Sequence, residues 1–510
     1  MKTFSNPVLQ GFNPDPCILR VEDTYYIFVS TFEWLPGIRV YTSKNLFDWK
    51  YKTSILDTKN QINLQGNPKA CSIWAPSAIF KDGIFYVVFT NVKSTRVPYK
   101  DVDNYIITAK DIEGPWSEPV YINSSGFDPS LFIDSDGQAY FLNEIWDYRL
   151  ETHNKSDGIV MQKIDLNTFI LEGEPKVIFK GTEARKTEAP QMYYHNDYYY
   201  LLTAEGGTEL GHQETVVRSK HIWGPYMLAP NTPLISAKDK SDSYLQCAGH
   251  ASLVESAEGN WFIAYLCTRP TNKEGFSILG RETAVEQIEW TDDGWPKLAN
   301  GTNYPSQNRL TLDKTNQLSF RDSFTEIDLN HKYWNTLRIL PNNSWLSQES
   351  SGIRIRGGQS PQSVFDQHLI GTRQTAFNCN VEFDMQYKFR SYLQLAGVTL
   401  YLDIENYLLF MVTVDNGKPV IVVQQSVKGE FKQLKILPII NDCGNYHFRL
   451  EIRNKKVTVW LNKQQVIAHL DIDFLAGGYT GNFIGLDVID MERRNLTSAV
   501  FSDFEYTAIQ

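Results

Sequence analysis

The chain has 510 residues, 42% of them hydrophobic and 21% charged, with 49 basic against 59 acidic side chains and a net charge of −10. That length exceeds one ordinary core and predicts two large domains, or one large and one small. The acidic balance and the lack of any long basic run argue against nucleic acid or an anionic membrane as partner.

The first eleven residues, Met1 to Gly11, carry no apolar core of signal-peptide length, and no run approaches the roughly 18 apolar residues of a membrane helix. A cytoplasmic protein is therefore expected. Cys17, Cys71, Cys247, Cys267, Cys379 and Cys443 show neither zinc nor redox spacing, so they are expected to be small core fillers.

One local pattern recurs five times. Asp15-Pro16 leads through a short apolar run and a turn into the aromatic run Tyr25 to Val29. Ala75-Pro76 leads through Asp82-Gly83 into Ile84 to Phe89, and Asp128-Pro129 through Asp136-Gly137 into Ala139 to Leu142. Ala189-Pro190 leads through Asn196-Asp197 into Tyr198 to Leu202, and His250-Ala251 through Glu258-Gly259 into Trp261 to Tyr265. The anchors at 15, 75, 128, 189 and 250 lie 60, 53, 61 and 61 residues apart. A repeat of this length, with several β-runs and turns per unit, predicts the blades of a five-bladed β-propeller over residues 1–300.

Residues 301–320 read as a linker lying along the propeller. From 321 to 510 the pattern changes. Val381, Phe383, Met385, Tyr387 and Phe389 alternate with polar residues, as do Tyr446, Phe448, Leu450 and Ile452, and again Val457, Val459 and Leu461. A period of two marks half-buried antiparallel strands, and hence a β-sandwich. The fold class expected is all-β.

In a propeller the first strand of each blade lines the central channel, so equivalent positions converge although they are some sixty residues apart. The ring of anchors reads Asp15, Ala75, Asp128, Ala189 and His250; one residue earlier it reads Pro14, Trp74, Phe127, Glu188 and Gly249. Any one of these alone is ordinary turn or core chemistry. Three acids at equivalent places are harder to explain that way, because buried like charges repel unless they are used. No phosphate-cradling glycine loop and no Ser-His-Asp or Cys-His elbow accompanies them. Paired carboxylates in an aromatic pocket point to glycosidic bond hydrolysis.

Several motifs in order resemble glycoside hydrolase family 43: Gly11-Phe12-Asn13-Pro14-Asp15-Pro16, Ser30 to Gly37, Trp74-Ala75-Pro76, Phe127-Asp128-Pro129-Ser130, Thr187-Glu188-Ala189-Pro190, Ala204-Glu205-Gly206-Gly207-Thr208 and Gly280-Arg281-Glu282-Thr283. The C-terminal part resembles the concanavalin-like, jelly-roll sandwich of that family's β-xylosidase branch. The resemblance implies an inverting mechanism with Asp15 as general base, Glu188 as general acid and Asp128 as the group that orients Glu188 and raises its pKa. It also implies a sugar site lined by Phe32, Trp74, Phe127, Thr208, His250 and Arg281. Inversion further implies a separation of about 6.5–9.5 Å between the Asp15 and Glu188 carboxyls. The sequence departs from the family at Ala189, where glycine is usual. No cofactor is required; some relatives hold calcium near the equivalent of His250, but calcium wants oxygen ligands and one histidine does not certify a metal.

In the resembling branch the sandwich lends an aromatic to the pocket mouth, and Phe504 in the terminal Phe501 to Tyr506 run is the residue chosen for it, with plain core packing as the alternative. The expected function is release of xylose from non-reducing ends of β-1,4-xylo-oligosaccharides. The alternatives are α-L-arabinofuranosidase activity, alone or as a second activity on arabinose-substituted oligosaccharides, and a non-catalytic sugar-binding propeller. A homo-oligomer is compatible with the resemblance.

Overall fold

Tight turns set the blade hairpins. Asp82-Gly83 and Asn196-Asp197 have positive φ at both positions, 51° and 77° in the first, 47° and 62° in the second. That is the conformation of two-residue hairpin turns, whose twist matches that of the strands they join. They connect Ser72–Lys81 to Ile84–Val92 and Glu188–His195 to Tyr198–Glu205. The structure is a computed structural model and describes residues 5–326, 329–492 and 497–510.

Five antiparallel sheets follow one another along the chain, opening with Cys17–Val21, Ser72–Lys81, Ser130–Ile133, Glu188–His195 and Gln246–Glu255. These first strands touch one another in ring order, and the fifth returns to the first. Side chains lace them together: Ser252 Oγ accepts from Ile18 N at 2.9 Å, and Tyr193 Oη accepts from Leu253 N at 2.7 Å. The N-terminal segment closes the ring, with Leu9 bridging Thr283 of the fifth sheet. Apolar clusters fill the spaces between blades, such as Phe28, Val40, Val87 and Phe89 between the first two. The fold is the expected five-bladed propeller.

All five anchors share one backbone conformation. Asp15, Ala75, Asp128, Ala189 and His250 have φ of 55°, 42°, 54°, 53° and 53°. Aspartate and histidine are among the side chains that tolerate this left-handed region best. The recurrence in the sequence is therefore partly a backbone requirement at the channel entrance, onto which chemistry is added.

Residues 301–320 run along the propeller: Asn308 O accepts from Asn6 N, and Lys314 in the short helix Leu312–Asn316 pairs with Asp48. The sandwich consists of two sheets, one of eight strands and one of seven that gains an eighth from the propeller. One contains Asn378–Tyr387, Asn445–Arg453, Lys456–Leu461 and Ser498–Ile509; the other contains Gln394–Asp403, Asn406–Asp415, Lys418–Val427 and Phe483–Asp490. The alternating residues Val381, Phe383, Met385, Phe448, Leu450 and Val459 point into the core between them. Five of the six cysteines are buried, and Cys443 is exposed.

The second sandwich sheet does not stop at the domain boundary. Its strand Asn335–Leu337 pairs with Trp34–Leu35 of the propeller, which forms the sheet's edge, with Thr336 opposite Leu35 and Leu337 opposite Trp34. The Trp34 ring lies on Phe483, centroids 3.7 Å apart and planes 13° from parallel. A buried ion pair, Arg338 Nη2 to Glu33 Oε1 at 3.4 Å, flanks it. Main-chain pairing, stacking and charge thus fix the sandwich against the channel mouth.

Candidate active site

Asp15 is the most tightly held carboxylate of the channel. It follows Pro14 in the left-handed turn that opens the first blade and is 4% exposed. Ser30 Oγ donates to its Oδ2 at 2.6 Å and in turn accepts from Ala75 N at 2.7 Å, so the second blade braces the first. Arg281 Nη1 donates to Oδ1 at 2.7 Å, and His250 Nδ1 lies 3.8 Å from the same oxygen. Burial favours the neutral acid, but Arg281, His250 and Ser30 outweigh it and leave the Asp15 pKa below the ordinary value. Asp15 is an anion at neutral pH.

Asp128 and Glu188 lie in the opposite electrostatic setting. Burial lifts Glu188 to about 7; Lys100 and Lys186 pull it down, while the Asp15 anion pushes it up. Asp128 is raised well above the ordinary value by burial first, then by Glu188 and Asp15. No acidic neighbour can ionise here without repelling another, so Asp128 and Glu188 retain a proton between them near neutral pH. The channel therefore holds an ionised carboxylate and a protonated one, the two states that acid–base cleavage needs.

These carboxyls face a cavity of about 350 Å³ that also collects Phe32, Trp74, Phe127, Thr208, His250 and Arg281. Phe32 and Trp74 have ring centroids 5.6 Å apart, and Phe127 meets Trp74 edge-on at 5.7 Å. Trp74 Nε1 has no acceptor among the described residues, leaving a buried donor at the pocket wall. Arg281 Nη1 also reaches Thr208 Oγ1 at 3.4 Å. Burial pushes His250 down to about 4, so it is neutral at pH 7.

Phe504 is elsewhere. It is 0% exposed inside the sandwich, packed edge-on to Trp334 at 4.7 Å and stacked with Phe320 at 5.7 Å. Its strand, Ser498–Ile509, belongs to the sheet that does not continue into the propeller. The aromatic that the sandwich delivers to the pocket is Tyr479, stacked on Trp74 at 6.1 Å and 20°. Its loop fits against the propeller because glycines allow backbone to meet backbone: Gly477 bridges Ser277, and a Cβ on Gly481 would stand 2.5 Å from Leu279 O. Arg281 Nε donates to Tyr479 O at 3.0 Å. The signal was the run Gly477-Gly478-Tyr479-Thr480-Gly481, less conspicuous than the aromatic C-terminal strand.

Lys100 and Trp146 also went unmarked in the sequence, and Glu205 appeared there only as part of a motif, with no role. The Lys100 ammonium lies 3.9 Å from the ring centroids of both Phe127 and Trp146, within the same pocket as the acids. Glu205 accepts from Thr182 N, Thr187 Oγ1 and Thr215 Oγ1 at 2.6, 2.8 and 2.5 Å, which anchors the loop entering Glu188. A lone lysine in a polar loop carries no pattern that would reveal it. As for a metal, no group of three or more His, Cys, Asp or Glu among the described residues could hold one, and Asp15 beside His250 is already engaged by Arg281 and Ser30.

Comparison with known proteins agrees with this geometry. Residues 4–296 match the model of glycosyl hydrolases family 43, and residues 321–507 match the β-xylosidase C-terminal concanavalin A-like domain. The chain is 37% identical to a xylan 1,3-β-xylosidase from a Vibrio species, covering 99% of both chains. It is 35% identical to xylosidase/arabinosidase 43B of Humicola insolens, covering 100% of this chain and 98% of that one. The crystal structure of a xylan β-1,4-xylosidase from Bacillus halodurans superposes with a TM-score of 0.93 at 37% identity, covering 99% of this chain and 100% of that one. With both domains matched and the carboxylates gathered at one channel mouth, the chain is a glycoside hydrolase and belongs to family 43.

Proposed function

We propose that the protein is an inverting exo-glycosidase that releases xylose from the non-reducing ends of β-1,4-xylo-oligosaccharides. The observation that carries this reading is the split environment of the carboxyls, with Asp15 held ionised by Arg281 and Glu188 lifted to about 7 by burial. Asp15 takes a proton from water as that water attacks the anomeric carbon. Glu188 gives its proton to the departing glycosidic oxygen, and Asp128 keeps Glu188 protonated by resisting a further negative charge. Water, acid and base balance the hydrolysis, which requires no cofactor.

Exo action is supported by pocket size and closure. About 350 Å³ is at the small end of ligand pockets, and Tyr479 of the sandwich closes one wall. α-L-Arabinofuranosidase activity is the second reading, favoured by a relative named for both activities. One methylene or hydroxyl separates sugars only modestly in a pocket.

The test is sugar release from β-1,4- and β-1,3-xylobiose and from an aryl α-L-arabinofuranoside, with the product anomer followed by NMR. α-Xylose appearing first from the β-1,4 substrate is the expected result. β-Xylose first would overturn inversion; arabinose alone would move the function to the second reading. Preference for the β-1,3 substrate would overturn the linkage.

A further inference from the structure

A second cavity, about 840 Å³, lies between propeller and sandwich and shares no lining residue with the catalytic pocket. Asn13, Arg39, Tyr41 and Tyr51 face it from the propeller; Tyr333 and Arg373 face it from the sandwich. Its charge runs against that of the whole chain. Five lining side chains are basic, Arg39, Lys50, Lys314, Lys332 and Arg373, and the one lining acid, Asp48, is paired with Lys314.

The two arginines are buried and close together. Arg39 is 2% exposed and Arg373 6%, and both donate to Oδ1 of the same Asn335. Among the described residues neither has a carboxylate within 4.0 Å. The other partners of Arg39 among the described residues are also neutral, Tyr41 Oη, His331 O and Lys332 O, which leaves one Nη2 hydrogen over, and its guanidinium lies 4.4 Å from the Tyr51 ring centroid. Arg373 donates to Phe12 O at 2.8 Å, but its Nη2 meets no acceptor. Buried charges are normally paired with an opposite charge. Two adjacent guanidinium groups without one, beside a large cavity rimmed by lysines, lack a counter-ion.

We propose that this interdomain cavity binds a small molecule bearing a carboxylate or phosphate, whose oxyanion neutralises the Arg39–Arg373 pair and whose body rests among Tyr41, Tyr51 and Tyr333. Lys50 and Lys332, exposed at the rim, draw it in. The ligand touches both domains, so it binds the folded chain and not the unfolded one and raises the unfolding temperature with concentration. It also sits behind the segment of the base: Arg373 holds Phe12 O, and Tyr41 Oη donates to Asn13 Oδ1 at 2.6 Å, two residues before Asp15.

The experiment is calorimetric titration and thermal unfolding of the full chain with D-glucuronate, citrate and inorganic phosphate, at constant ionic strength against chloride. At least one should bind saturably and raise Tm, and which one does so separates carboxylate from phosphate ligands. The rim variant Lys50→Glu/Lys332→Glu should weaken that binding tenfold or more, and Arg373→Met should abolish it. Arg281→Gln, which removes the guanidinium of the catalytic pocket, should leave it in place. If none of the three binds beyond chloride, or if the rim variant binds unchanged, the proposal is wrong. Should Arg373→Met fail to fold, the rim variant decides alone.

Discussion

Arg281 Nη1 and Asp15 Oδ1 form a 2.7 Å ion pair between side chains that are each 5% exposed. The pair joins the fifth blade to the first, and the same guanidinium holds Tyr479 O of the sandwich. Arg281 therefore sets both the charge of Asp15 and the position of the pocket wall. Arg281→Gln removes the main force depressing the Asp15 pKa, and burial then raises it. The acid limb of kcat/KM should therefore move to higher pH. A displaced base should also cost roughly 10²-fold in kcat/KM at the optimum. An acid limb that stays in place would show that Arg281 does not keep Asp15 ionised.

Glu188 at about 7 predicts the other limb. The acid works only while protonated, so activity falls as pH rises through about 7, and the apparent value belongs to the Asp128–Glu188 pair rather than to either residue. Asp128→Asn takes away the second carboxyl of the pair, so Glu188 can ionise without placing two negative charges side by side. The alkaline limb should therefore shift to lower pH, with kcat falling more for unactivated disaccharides than for aryl glycosides with good leaving groups. Equal losses on both substrate types would remove Asp128 from proton donation.

Tyr479 can be tested apart from Arg281, because Arg281 binds its backbone oxygen and not its ring. Tyr479→Ala keeps that bond and deletes only the ring facing Trp74. The expected result is a rise in KM of roughly tenfold, the equivalent of about 1.4 kcal/mol of lost sugar contact, with kcat and the pH limbs little changed. A collapse of kcat with unchanged KM would instead make the ring part of the transition-state contacts.

The shared sheet at the domain boundary predicts coupled stability. Phe483 is 0% exposed and stacks on Trp34 across the boundary. Phe483→Ala should cost about 3–5 kcal/mol, the usual range for a buried aromatic. Because the propeller supplies an edge strand to the sandwich, both domains should still unfold in one transition. Urea denaturation followed by fluorescence checks both points; two separated transitions in the native chain would show that the boundary contributes little.

The propeller was legible because its blades repeat, and the repeat survives in local chemistry: an anchor, an apolar run, a tight turn, an aromatic strand. Asp15, Asp128 and Glu188 were legible for the same reason, since the repeat places them on one ring. Tyr479 and Lys100 were not, because each reaches the pocket through a loop that obeys no period. Phe504 shows the opposite failure. An aromatic run in a strand promises a wall for the site, yet alternate residues of that strand face the sandwich core, and Phe504 is one of them. Contacts between domains depend on which sheet continues across the boundary, and no periodicity within either domain encodes that.

Ala189 provides the remaining test. Its φ is 53° and it is 3% exposed, directly after Glu188. A Cβ in the left-handed region is strained by roughly 1–2 kcal/mol, whereas glycine adopts that region freely. Against this, glycine loses more backbone entropy on folding and leaves a methyl-sized gap, together worth on the order of 1 kcal/mol. The strain and the cost nearly balance, so Ala189→Gly should change stability by less than about 1 kcal/mol in urea unfolding. Activity should be the more sensitive readout, because relaxing the turn shifts the Glu188 carboxyl relative to Lys100 and Asp128. If kcat and the alkaline limb both match the parent, the methyl has no part in placing the acid, and the strain at 189 is carried without catalytic effect.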